Sequence, residues 1–247
     1  MKLNCDLGES FGSWQKGLDS EVMPHIDMAN IACGFHASDP LNMQKTVKLA
    51  RQHNVTIGAH PGYPDLVGFG RRSIPYEADE LVAIIQYQIG ALQAICANEG
   101  VRVAYVKPHG ALYNDMMKNN DIFTAVCQAV ARVDDSLALM IQAIPEPAAF
   151  DAIAGQYRLG LMFEAFADRN YQDNGLLTPR SDTHAVITEP KQVLARCQHL
   201  LNTGELLSLN GKPLSLEVDT LCVHGDNPAA VALVKQLQLL IHHPVND

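Results

Sequence analysis

Histidines, carboxylates and one lysine recur in this chain at one kind of place, at or just after the end of a short apolar run. Asp6, Gly8 and Glu9 close the first run, Gly34, His36 and Asp39 the second, and His60, Pro61 and Gly62 the third. The fourth ends in Lys107-Pro108-His109-Gly110, the sixth in Glu164, Asp168 and Arg169, and the seventh in His224-Gly225-Asp226. An aspartate with two or three imidazoles can bind a divalent metal, because carboxylate and imidazole both suit zinc, manganese or iron. The same groups can instead move protons as general acids and bases. No HExxH or similarly tight spacing chooses between these chemistries.

Lys107 narrows the choice of surroundings. A lysine at the end of a buried strand is costly unless it is paired or takes part in chemistry. Asp6, Glu164 and Asp168 are its candidate partners, and a structural ion pair and a catalytic role both remain open. Gly68-Phe69-Gly70-Arg71-Arg72 lies in a long loop, where the arginines could grip a carboxylate or phosphate bidentately. Its apparent GxGxxG fails at Ser73, and Gly211-Lys212 runs into Pro213, so neither a dinucleotide fingerprint nor a Walker motif is present. Cys33, three residues before His36, reads as a packed strand residue at a strand mouth, with a nucleophile as the alternative. Asp39 before Pro40 reads as a helix N-cap. His25, His53, His199, His242 and His243 fall on helices or in the tail and read as surface or structural.

These residues need elements to position them. Short apolar runs at Lys2–Cys5, Met28–Cys33, Thr56–Ala59, Ala104–Lys107, Ala138–Ala143, Gly160–Ala165 and Thr220–Val223 read as buried strands. Helical patterns lie between them, over Pro40–His53, Glu77–Asn98, Asn120–Val133, Glu146–Ala154, Glu189–Asn202 and Pro228–His242. Strand–helix alternation implies parallel pairing with right-handed crossovers. It predicts one α/β domain over residues 1–247: a distorted seven-stranded (β/α) barrel, with an open doubly wound sheet as the alternative. Asn210-Gly211 between apolar pairs predicts a β-hairpin insertion near residues 204–214. In both architectures active sites form at the carboxyl ends of the strands, where the unusual residues fall. The opposite ends carry ordinary turn residues, Asn54, Gly100, Asp134-Asp135 and Gly155.

Composition fits an enzyme of this kind. A chain of 247 residues, 47% hydrophobic, can bury about 70% of its surface in one core, which excludes disorder as the dominant state. Its 18 Lys and Arg against 27 Asp and Glu give a net charge of −9. That balance, without a basic run, excludes a nucleic-acid binder and an anionic-membrane binder. No uncharged apolar stretch approaches the ~20 residues of a membrane span, and the N-terminus lacks a signal-peptide pattern. The six cysteines form no CxxC pair. Reduced thiols and a cytoplasmic location are the expectation.

The motifs Asn4–Ser10, Asn30–Asp39, Gly58–Asp65, Gly68–Arg72, Val106–Tyr113, Glu164–Arg169 and Val223–Asp226 together resemble the LamB/YcsF family of 5-oxoprolinase A subunits. The resemblance runs from Leu3 to near Leu240. It implies a TIM-like barrel of the glycoside hydrolase and deacetylase type. It also implies ATP-dependent cleavage of 5-oxo-L-proline, a cyclic amide, to L-glutamate, with ATP as co-substrate and subunits B and C as partners. Asp6, Glu9, His36, Lys107, His109 and Glu164 are then the expected catalytic residues. Arg71, Arg169, His224 and Asp226 are the expected contacts to substrate or phosphate. By analogy with deacetylase-like barrels, a divalent metal would map onto Asp6, His60 and His109. Two alternatives stand beside this reading: a non-catalytic substrate-binding or carrier protein of the assembly, and a stand-alone metal-dependent deacetylase-like hydrolase.

Overall fold

The computed structural model describes residues 1–223 and 228–242, so His224, Asp226 and His243 lie outside the described residues. Seven parallel strands close into a barrel: β1 (Lys2–Leu7), β2 (Met28–Ala32), β3 (Thr56–His60), β4 (Val103–Val106), β5 (Ala138–Gln142), β6 (Leu161–Phe166) and β9 (Thr220–Cys222). Each strand pairs with the next, and β9 pairs with both β6 and β1 to complete the ring. The open-sheet alternative is thereby excluded. The expected hairpin is present as β7 (Glu205–Leu207) and β8 (Pro213–Ser215), antiparallel, with Gly211 in the left-handed region at φ 83°.

Two strands run further than the apolar pattern predicts. β1 continues past Cys5 through Asp6 to Leu7, and β6, whose predicted run already held Glu164, continues one residue past Ala165 to Phe166. Asp6 therefore sits on its strand rather than after it, as Glu164 does within the run predicted for β6. A strand tolerates them because alternate side chains face the lumen, and there Lys107 and neighbouring polar groups meet them. The lumen is divided along its axis. Met28, Tyr105 and Met140, packed with Ala104, Ala138 and Met162, form an apolar plug separate from the main core. Gly58 on β3 makes room for it: a Cβ at Gly58 would lie 2.1 Å from Cε2 of Tyr105. Beside and above the plug lie buried Asn4, Asn30, Thr220, Lys107 and Glu164.

The helices cover the outside. They are α1 (Asp19–Val22), α2 (Pro40–Gln52), α3 (Ala78–Asn98), α4 (Gly110–Met116), α5 (Asn120–Val133), α6 (Ala148–Gln156), α7 (Pro190–Thr203) and α8 (Pro228–His242). Asp39 caps α2 as expected, its carboxylate accepting from the N–H groups of Leu41 and Asn42 at 2.9 and 3.0 Å. α6 begins two residues later than predicted, because Pro147 excludes Glu146 from helical geometry and occupies the N-cap itself. α1 and α4 were not expected: each is too short to show a helical period. α3 is long and apolar enough to span a bilayer by length and composition. Here it buries Leu81, Val82, Ile85, Ile89, Leu92 and Cys96 in the main core.

Candidate active site

β1, β3, β4 and β6 deliver Asp6, His60, Lys107 and Glu164 to one end of the barrel. Lys107, one residue past β4, is 2% exposed. Its Nζ lies 2.8 Å from Asp6 Oδ1 and 2.8 Å from Glu164 Oε1. A single ammonium thus neutralises two carboxylates in a space that water barely reaches. Burial by itself would lower the Lys107 pKa, but Asp6, the Cys222 sulfur and Glu164 together hold it well above the ordinary lysine value. The ammonium stays charged.

A buried polar network fixes this ion pair from below. Asn30 Nδ2 donates to Asp6 Oδ1 and to Asn4 Oδ1, both at 2.8 Å. Tyr105 donates its hydroxyl to Asn30 Oδ1 at 2.7 Å, and Asn4 Nδ2 donates to Thr220 at 2.9 Å. On the far side Tyr113 donates to Glu164 Oε2 at 2.9 Å. Such satisfied networks hold side chains in one arrangement and leave few buried charges uncompensated.

Three imidazoles stand beside the ion pair. His60 Nδ1 lies 2.6 Å from the Lys107 carbonyl, and His109 Nε2 lies 2.9 Å from the Phe69 carbonyl. Carbonyls only accept, so both ring nitrogens carry the proton. Phe69 sits at φ 55°, a left-handed conformation unusual for a bulky residue, and one that places its carbonyl at His109. His36 stacks on His109 with centroids 3.7 Å apart and planes 5° from parallel. Burial, and then the neighbouring rings, push the pKa values of His36 and His109 well below the usual histidine value. Glu9 Oε1 approaches His109 Nδ1 at 3.9 Å, and Lys16 lies 3.8 Å from Glu9 Oε2.

The loop that follows His60 is anchored by a glutamine within the apolar face of α3. Gln88 is fully buried; its Oε1 accepts from Gly62 N at 3.0 Å, and its Nε2 donates to Gly62 O at 2.9 Å. Above these residues opens a cavity of about 410 Å³, within the range of small-molecule sites. Asp6, Glu9, His60, Lys107 and His109 line its floor, and Arg71, Lys16, Lys118 and Arg180 stand among its walls.

The structure thus brings Asp6, Glu9, His36, His60, Lys107, His109 and Glu164 together. Arg71 lines the same cavity, whereas Arg72 turns away to pair with Asp65. Arg169 also borders the cavity, but its guanidinium donates to the carbonyls of Ala185 and Thr178 at 3.1 and 2.7 Å. Burial and then Arg180 lower its pKa to about 10. Its hydrogen bonds hold the loop after β6. His224 and Asp226 lie outside the described residues. Sequence reasoning missed Asn4, Asn30, Tyr105, Tyr113, Gln88 and Cys222. Asn4–Asp6 and Tyr105–Lys107 each carry a signal, two polar-headed residues two apart on a buried strand. Tyr113 and Gln88 carry none, since both lie on apolar helix faces.

The residues fit a bound metal only in part, because the rings of His36 and His109 lie parallel with centroids 3.7 Å apart and their in-plane lone pairs cannot converge on one ion. One ligand atom from each of Glu9, His36, His60 and His109 lies within 4.8 Å of every other, so a subset of this His/Glu cluster could hold an ion. The two carbonyls leave His60 Nε2 and His109 Nδ1 as the bare nitrogens of neutral rings, as metal ligation requires. Asp6, expected in the ligand set, instead spends Oδ1 on Lys107 and Asn30, with Oδ2 at 3.4 Å from His60 Nε2.

Known proteins share this chain's sequence and architecture. The LamB/YcsF family model matches residues 1–244. A protein of Vibrio vulnificus (strain CMCP6), named as the A subunit of 5-oxoprolinase, is 54% identical over 239 residues, covering 97% of this chain and 96% of the relative. Another of that name, from Pseudomonas fluorescens (strain Pf0-1), is 52% identical over 236 residues, covering 96% and 94%. The crystal structure of the lactam utilization protein from Thermus thermophilus superposes with a TM-score of 0.89 at 37% identity, covering 98% of this chain and 95% of that one.

Proposed function

Since the chain belongs to the LamB/YcsF family, we propose that it is the A subunit of an ATP-dependent 5-oxoprolinase. In this reading it works in the cytoplasm with subunits B and C, opening 5-oxo-L-proline to L-glutamate as ATP is hydrolysed. The names of its relatives support the reading, and one observation carries it to the site. Lys107 and Asp6 form a charged floor to an open cavity, with Glu164 buried behind Lys107 and imidazoles at its edge.

A five-membered lactam is a stable amide, and phosphorylation of its carbonyl oxygen makes the ring carbon a better electrophile. The chain has no Walker motif, so nucleotide handling belongs to the assembly rather than to this barrel alone. Water then adds at the ring carbon and the C–N bond breaks, with one proton removed from that water and one delivered to the departing nitrogen; the acyl phosphate so formed is hydrolysed by a second water to glutamate and inorganic phosphate. We assign both transfers to Asp6, which lines the cavity with Oδ2 3.4 Å from His60 Nε2. Lys107 meets negative charge as it develops on the carbonyl or phosphoryl oxygens, already oriented and partly desolvated. Arg71 is positioned on the wall for the substrate carboxylate. A metal bound by the histidines would supply a polarised oxygen or an activated water.

The test is reconstitution by omission. Purified chain, subunits B and C, ATP and 5-oxoproline are mixed, and glutamate is measured with each protein left out in turn. Glutamate should form only in the complete mixture, and the isolated chain should hydrolyse neither ATP nor lactam above background. Full activity without this chain, or from it alone, contradicts the proposal.

A further inference from the structure

Resting on the reading of the chain as a lactam-cleaving A subunit, we propose that the cavity wall formed after β6 is a phosphoryl-group subsite. Thr178 and Arg180 are its donors, with Lys118 lining the same cavity, and its ligand is the phosphoryl group carried on the activated carbonyl oxygen of the lactam. The first observation is the balance of charge. The chain has a net charge of −9, yet among the described residues six of its 18 Lys and Arg line this cavity, against four of its 27 Asp and Glu. The four acids stand on the β1 side, as Asp6, Glu9 and Asp19, and on α4, as Asp115. Asp115 is engaged by the loop after β3, accepting from Tyr63 at 3.1 Å and from Ser73 at 3.0 Å. The cavity-lining residues after β6 include Arg169 and Arg180 and no carboxylate. A cleft wall of one sign draws in a ligand of the other.

The second observation is Thr178. It lines the cavity and is 2% exposed, and its hydroxyl has no hydrogen-bond partner among the described residues. A buried hydroxyl without a partner is costly, and a phosphoryl oxygen is an acceptor for it. The backbone around Thr178 is already fixed. Tyr171 bridges to Leu177 and Arg169 to Val186, and Thr178 N donates to Asn170 O at 2.9 Å. The Arg169 guanidinium ties the loop together through the carbonyls of Thr178 and Ala185. Burial and then Arg180 lower the Arg169 pKa, with Asp168 opposing, so the two guanidinium groups repel each other. An anion bound at this wall relieves that repulsion.

The order of strands says why a single anionic group does not account for these cations. Arg71 follows β3 and Arg180 follows β6, three strands apart in a ring of seven, so the two reach the cavity from well-separated sectors. 5-Oxo-L-proline carries one negative charge, its carboxylate, and Arg71 accounts for that. Carboxylate and carbonyl flank the ring nitrogen on either side. With the carboxylate toward Arg71, a phosphoryl group on the carbonyl oxygen extends away from it, toward the wall after β6. Guanidinium, ammonium and hydroxyl donors suit its tetrahedral oxygens.

Ligand binding by the full chain tests this without reference to turnover. Four probes are titrated separately by calorimetry: inorganic phosphate, 5-oxo-L-proline, ATP, and the phosphonate that carries a methylene in place of the acyl phosphate's bridging oxygen. Melting curves check that each variant is folded. The phosphonate should bind at least about tenfold tighter than phosphate or 5-oxoproline. Arg180→Gln and Thr178→Val should each weaken it by about tenfold or more, and Lys118→Gln by about threefold. All three should leave 5-oxoproline affinity within about threefold of wild type. Wild-type chain that binds neither phosphate nor the phosphonate overturns the subsite, and needs no variant to fold; if it still binds 5-oxoproline, the A-subunit reading stands. Phosphate binding that Arg180→Gln abolishes, in a chain that binds neither 5-oxoproline nor the phosphonate, supports the phosphoryl wall and counts against the lactam reading. Unchanged phosphonate affinity in folded Arg180→Gln, or ATP bound as tightly as the phosphonate, overturns the assignment.

Discussion

Replacing Lys107 by methionine keeps most of the stem's volume and removes the charge on which two carboxylates depend. Nζ is 2.8 Å from an oxygen of each. At an effective dielectric near 20, each contact is worth about 6 kcal/mol of gross attraction. Most of that is offset, because burying the ammonium itself costs several kcal/mol. The net effect of breaking such a pair is a loss of about 3–5 kcal/mol. The two carboxylates do not suffer equally. Asp6 keeps Asn30 and lies at the cavity, whereas Glu164 is fully buried and keeps Tyr113. The cost should therefore fall on Glu164, and Glu164→Gln in the Lys107→Met background should recover about half or more of the lost stability. Glutamate release by the complete assembly should fall ~10²-fold or more in Lys107→Met, the scale of one transition-state charge contact, and the second substitution should not restore it. Melting curves beside the glutamate assay measure both. A folded Lys107→Met chain with near-normal turnover would reduce Lys107 to a structural ion-pair residue. Full rescue of turnover by Glu164→Gln would show that only folding was at stake.

Gln88→Leu leaves the Gly62 N–H and carbonyl without their side-chain partner. It should cost about 1–3 kcal/mol in a melting curve and lower turnover by displacing His60, two residues away. Gly58→Ala drives a Cβ into the Tyr105 ring and should destabilise by about 1–3 kcal/mol, with a changed near-ultraviolet tyrosine signal. Asp39→Ala removes the cap of α2 and should cost about 1 kcal/mol at neutral pH. The N–H groups of Gly12 and Asn42 hold the Asp39 carboxyl below the usual carboxylate range. Its contribution is therefore complete above the unfolded pKa of about 3.9 and vanishes as pH falls through the lower folded value. The difference in melting temperature between wild type and Asp39→Ala should close below that pH.

The barrel was legible because its strands are buried on both faces. Runs such as Met28–Ala32 and Thr220–Cys222 are fully buried, and a short unbroken apolar run bounded by turns has little other reading. The same rule ended the first strand too early, before Asp6, since charge inside a strand looks like its end until a lumen partner is known. The cluster at the barrel mouth was legible because the strands' carboxyl ends are where this topology gathers polar residues. Orientation was not. Nothing in the spacing says that Asp6 pairs with Lys107 while Glu9 turns toward His109, because rotamers and carbonyl directions decide that. Tyr113 and Gln88 were hidden for a related reason: each lies on a helix face that packs against the core, and only its terminal atoms are polar.

A crystal structure of the chain with 5-oxo-L-proline tests the central claim most directly. The ring should lie in the cavity with its amide over Lys107 and Asp6 and its carboxylate toward Arg71. A lactam bound elsewhere on the molecule, with the Lys107–Asp6 floor left empty at concentrations that saturate turnover of the assembly, would contradict it.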